Sequence, residues 1–156
     1  MNDTTQTMFD TDAFLDSEVD NAFETQRTTI PAGDQYMGVI DSLVPPRVLD
    51  NGSIVMDIRW KVLGQDELAE SLNLGDIVVP QSAFLDMGPD GRLAWGVNQN
   101  IVLGQVRAAL QQNVPGQRWS PRMLVGAGPA KLKIENKPDR NNPNLRRNRV
   151  VFVAAM

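Results

Sequence analysis

Two clusters in the C-terminal third combine residue types suited to holding a polyanion. "QRWSPR" places Arg118 and Arg122 around Trp119, and "KLKIENKPDRNNPNLRRNRV" carries Lys131, Lys133, Lys137, Arg140, Arg146, Arg147 and Arg149. Cationic side chains bind phosphate oxygens and aromatic faces stack on bases, so the two together make a sequence-tolerant single-strand site. Arg59 and Lys61 in "DIRWKV" extend the basic set, with Tyr36, Trp95 and Trp119 as stacking candidates. Trp119 leads because it lies between arginines in a proline-bearing loop; a loop anchor is its plain alternative. Trp60 alternates with Ile58 and Val62 and reads as core. Taken singly, each base equally suits a solvated strand face; the argument is their convergence beside one groove.

The charge distribution supports an acidic partner. Arg107 to Arg149 holds ten bases against Glu135 and Asp139, a local charge of +8, although the whole chain carries −4. Residues 1–27 hold seven acids and one base, Arg27, for −6. Such asymmetry points to an acidic ligand and a separate acidic tail. The tail contains Phe9, Phe14 and Phe23 but no glycine or proline. It reads as a mobile segment, transiently helical in parts and ordered by a partner such as a replication or recombination protein, or competing for the basic groove. It lacks the central glycine and closing glutamate of a calcium loop.

Catalytic readings fare worse. The chain has no cysteine and no histidine, which removes thiolate chemistry, Cys/His zinc sites and imidazole acid–base catalysis. Glu135-x-Lys137 followed by Asp139 suggests a magnesium-dependent nuclease. There, however, the aspartate comes after the Glu-x-Lys pair; Asp86 or Asp90 would have to serve across a helix. No phosphate-cradling glycine loop with Lys-Ser/Thr is present. The expectation is no catalytic residue, no metal and no cofactor. Apolar runs are too short to span a membrane and the opening residues are acidic and polar, so the cytoplasm is the expected location.

These residues need elements to position them. After a turn at Pro31 and Gly33, Tyr36 to Val44 reads as a strand bent near Gly38. Asn51-Gly52 marks a hairpin, followed by a strand with Ile54, Met56, Ile58, Trp60 and Val62 on one face and Val55, Asp57, Arg59 and Lys61 on the other. A third strand holds Pro80, which favours a sheet edge or a bulge. Val102, Leu103, Val106, Ala109 and Leu110 form the apolar stripe of a helix, with Asn98 or Asn100 as its cap. Leu132 and Ile134 alternate with Lys131, Lys133 and Glu135 in a fourth strand, and "RVVFVAAM" is the fifth. Asn136 to Val150 reads as a mobile basic arm between them.

The order β-β-β-α-β-β describes an all-β domain with one helix, residues 28–156, and fits a five-stranded OB-fold barrel. Such barrels bind oligonucleotides on the strand 2–3 face and through the loops joining strands 1–2 and 4–5. A small open sheet with one helix is the structural rival. "IPAGDQYMGVI", "NQNIVLGQVRAALQQN" followed by "PGQRWSP", and "LVGAGPAKLKI" resemble phage-encoded single-stranded DNA-binding proteins of replication and recombination over roughly residues 30–153. The resemblance implies an OB-like barrel that coats single strands, commonly as a homo-oligomer, and carries over no specific binding residue. The acidic segment here is N-terminal, whereas the familiar bacterial single-strand binder carries it at the C-terminus. The sequence-based expectation is a non-catalytic single-stranded DNA-binding protein; a phage structural or protein-interaction module is the alternative.

Overall fold

A computed structural model describes residues 9–25 and 27–156; the first eight residues of the acidic tail and Gln26 lie outside the described residues. Five strands form one antiparallel sheet in the order β3-β2-β1-β4-β5. They are β1 (Gly33–Val48), β2 (Ile54–Val62), β3 (Val78–Leu85), β4 (Ala130–Pro138) and β5 (Arg146–Ala154). Three short helices accompany them, α1 (Thr11–Asp16), α2 (Asp66–Ser71) and α3 (Ile101–Ala109), with a 3-10 turn at Pro121–Leu124. The mostly-β architecture is as expected. The sheet is not closed into a barrel, because no ladder joins β3 to β5.

The long first strand is the hinge of the sheet. Its first part pairs with β4 and its second part with β2, and Gly38 belongs to both ladders, opposite Ala130 and Val62. A Cβ at Gly38 would lie 2.7 Å from the Lys61 carbonyl oxygen and 2.8 Å from Leu132 Cδ1. Only a residue without one lets three strands cross there. Beyond it, register shifts after Ile40 and Val44 bend the strand further, as bulges do.

The alternation read in β2 places Met56, Ile58, Trp60 and Val62 in the core, with Tyr36, Ile40, Val79, Leu132 and Ile134 from the neighbouring strands. The buried Trp60 Nε1 donates to Gln81 Oε1 at 2.8 Å, so its polar edge is satisfied inside the apolar layer. Val55, expected on the polar face, is buried; in the ladders it stands between Arg47 and Phe84.

Helix α3 buries Leu103, Val106 and Ala109 and contacts both β3 and β5. Asn100 sits at its N-cap position but caps nothing; its side chain instead bonds Asp86 and Ala94. At the other end the helix stops at Ala109. Gln111 adopts φ 60°, and Gln111 N and Gln112 N donate to the Ala108 and Arg107 carbonyls at 3.2 and 2.7 Å. That is a Schellman motif without glycine.

The N-terminal side of the domain is tied down by an asparagine. Asn148 Oδ1 accepts from Ile30 N at 2.7 Å and Asn148 Nδ2 donates to Ile30 O at 2.9 Å. Upstream, α1 buries nothing. Among the described residues no helix is long and apolar enough to cross a membrane.

Candidate nucleic-acid interface

The outward face of β2 and β3 is set by their register. Val55, Asp57, Arg59 and Lys61 stand opposite Phe84, Ser82, Pro80 and Val78, and directly opposed residues share a face. Across the open seam, Arg149 Nη1 donates to Ser82 Oγ at 2.8 Å. Ser82 Oγ in turn donates to Asp57 Oδ1 at 2.9 Å, and Arg47 closes on Asp57 Oδ2 at 3.2 Å. This chain carries the basic end of β5 onto the face of β3. A cleft of about 750 Å³ lies here, with Arg27, Arg59, Arg147 and Arg149 among its lining residues and Asp41, Asp57 and Asp76 as its acids. Lys61, on the same strand face, is held by Asp76 at 3.7 Å.

The stretch Asn136 to Val150, expected as a mobile arm, is an ordered hairpin. Its strands stay paired out to Pro138 opposite Arg146. Asp139 N donates to Leu145 O at 2.7 Å, and the Asp139 and Asn142 side chains accept from Asn141 N and Asn144 N. Asparagine and aspartate thus replace glycine in shaping the turn. Asp139 also pairs with Arg147 Nε at 2.6 Å. The Asn141 N–H above all, with Arg147's charge adding to it, holds this carboxyl below the usual aspartate range despite the opposing effect of burial. Arg146 Nη2 donates to Asn136 O at 2.9 Å, and Lys137 lies 3.7 Å from Glu135. Arg140 is exposed at the tip. The Glu-x-Lys of the nuclease reading is therefore an ion pair within one strand, with Asp139 engaged elsewhere. Among the described residues no group of three carboxylates is placed to hold a metal.

The expected convergence on one groove gives way to a division. Arg59, Arg147 and Arg149 meet at the seam, joined by Arg27, which the sequence reading counted only within the tail. Lys131 and Lys133 are exposed on β4, opposite Met37 and Phe152 in the ladders, and do not line the cleft. Arg118 is exposed in the loop after α3, and Arg122 lines a separate apolar groove.

The aromatic candidates are reassigned. Tyr36 is 2% exposed, and its hydroxyl donates to Pro31 O at 2.6 Å; burial pushes its pKa up. It is a core residue with no face to offer a base. Trp119 packs against the core, its Nε1 donates to Gln112 Oε1 at 2.9 Å, and the Arg107 guanidinium lies 4.2 Å from its ring centroid. The cation covers a ring face, so Trp119 anchors the loop to α3. Trp95 is 94% exposed on a loop held by hydrogen bonds between Asp86, Ala94 and Asn100, two residues beyond Leu93 of the apolar groove.

An exposed aromatic that the sequence reading did not select is Phe84. It is 53% exposed on β3, on the same outward face as Arg59 and Ser82. Its signal was parity with Pro80 and Ser82 in the third strand, but the inward set of that strand was not separable by alternation in "VVPQSAFL". Phe152, opposite Lys133, is a second exposed ring on the other strand pair.

No protein-family model matches the chain, and no curated protein matches it.

Proposed function

We propose that this chain is a single-stranded DNA-binding protein of a phage replication or recombination system, holding its ligand without sequence preference and without catalysis. The carrying observation is the Arg149–Ser82 contact, which joins the basic β4–β5 hairpin to the outward face of β2 and β3. In this reading the sheet is a partly open barrel of OB type. Its strand order, the approach of β5 to β3 and the seat of α3 against both edges support that assignment. OB barrels take oligonucleotides on this face and between these loops.

Arg59, Arg147 and Arg149 contact phosphates, with Lys61 and Arg140 further along the track, and Phe84 stacks on a base. The cleft aspartates keep the phosphate path to the arginine side, since like charges repel. The test is fluorescence anisotropy of a labelled oligonucleotide across a salt series. Affinity falls steeply with salt, and single strands are preferred over duplex. Absence of binding at low salt, or equal affinity for duplex, overturns the reading.

A protein-interaction module is the second reading, and one observation favours it. Trp95 stands almost fully exposed on a hydrogen-bonded loop, and tryptophan anchors are common at the centre of protein interfaces.

A further inference from the structure

The acidic tail contains a built helix start. Asp10 Oδ1 accepts from Ala13 N at 3.1 Å, making Asp10 the N-cap of α1. Phe9, just before the cap, packs on Phe14 with ring centroids 5.4 Å apart. A side chain before the cap meeting one four positions into the helix is a hydrophobic staple. A six-residue helix is marginal on its own in water, and Phe9, Phe14 and Leu15 are all exposed. The segment has the chemistry of an amphipathic recognition helix: a small apolar cluster ringed by Asp10, Asp12 and Asp16.

Its counterpart is the apolar groove at the far end of the β1–β2 pair. This groove, of about 530 Å³, is lined by Leu43, Pro45, Met56, Leu85, Leu93 and Leu103, with Arg122 as its charged residue. Apolar walls suit the Phe9–Phe14–Leu15 cluster, and Arg122 suits the aspartates. No described tail residue lines this groove within the chain itself.

We propose that the groove is the receptor for the Phe9–Asp16 element of a second copy of this chain, so that two chains exchange their tails. Leu15 is fifteen residues from Ile30, which Asn148 fixes to the domain. That linker spans roughly 50 Å when extended, against a domain radius of gyration of about 14 Å. Each copy carries one tail and one groove, and reciprocal exchange closes the pair as a two-fold dimer. Burying Phe9, Phe14 and Leu15 of both tails in the two grooves removes on the order of 1,000 Å². That is the size of a weak, transient contact rather than of a permanent one.

The cysteine-free sequence permits a direct test that contains no nucleic acid and so stands apart from the proposed function. Full chains carrying Leu15→Cys are mixed with differently tagged full chains carrying Val125→Cys at the groove, then oxidised. The control partner carries Val78→Cys, exposed at the basic cleft. The expected result is at least tenfold more mixed disulfide dimer with Val125→Cys than with Val78→Cys, lost when Phe9→Ala and Phe14→Ala are added to the tail. Equal yields with both partners overturn the groove as receptor. A Leu15→Cys/Val125→Cys double variant that cross-links only within one chain overturns the second copy as occupant.

Discussion

Arg149 of β5 donates to Ser82 of β3 across a gap that no strand ladder bridges. The side chains do what the backbones do not: they draw the two edges of the sheet together on its outer face. Under the proposed function, Arg149 is thereby held where a phosphate chain running over β2 and β3 would pass.

Arg149→Ala is expected to weaken single-strand binding and to flatten its salt dependence. Each lost phosphate contact lowers the slope of log affinity against log salt by about 0.7 on a single strand. Ser82→Ala, which leaves the guanidinium present but untethered, is expected to cost less affinity and to leave the slope near that of the parent. Anisotropy titrations at four or five salt concentrations read both.

Phe84→Ala and Trp119→Ala are expected to separate binding from stability. Loss of a stacking ring costs roughly 1–3 kcal/mol per base, so Phe84→Ala weakens binding with an unchanged melting temperature. Trp119→Ala removes a packed ring, its bond to Gln112 and the seat of Arg107; it lowers the melting temperature and leaves affinity near the parent's. Paired thermal melts and titrations distinguish the two.

Gln81→Leu is expected to destabilise the fold although it makes the core more apolar. The buried Trp60 N–H loses its acceptor, at a cost of about 1–3 kcal/mol. The denaturation midpoint falls with little change in the slope of the transition.

Asp139 makes the hairpin acid-sensitive. Its carboxyl titrates lower folded than unfolded. The stabilisation is fully present above the unfolded value, about 3.9, and is lost as pH falls through the lower folded value. Asp139→Asn is expected to be less stable than the parent at pH 6, with the difference closing progressively below about pH 4. Denaturant unfolding at stepped pH measures the gap, and a constant gap down to pH 2 contradicts this account.

Two strands were legible by period: Ala130 to Glu135 alternates cleanly, and Ile54 to Val62 does so except at the buried Val55, whereas "VVPQSAFL" shows no separable inward set. The Asn51-Gly52 turn was legible because Gly52 takes a positive φ of 86° that glycine adopts freely. Side-chain partners were not. Nothing local says that Gln112 holds Trp119, that Arg107 covers its ring, or that Asn148 fixes Ile30 from 118 positions away. The basic residues are divided among the cleft, the exposed face of β4 and the loop after α3, because sequence counts charge along the chain, whereas the register of β4 and the fold of that loop decide which way each charge faces. The expected mobile arm is ordered for the same reason. Asp139 and Asn142 spend their side chains on backbone N–H groups of the turn.

Pro80 gives the unclosed seam a further meaning. It sits in β3, a border strand of the sheet, opposite Arg59. A proline there leaves the internal ladder intact and deletes one donor from the row that a stray strand would need to zip onto. Open borders of this kind ordinarily invite runaway polymerisation into fibrils. This one is blunted at mid-strand, which disfavours the addition of a foreign strand along β3.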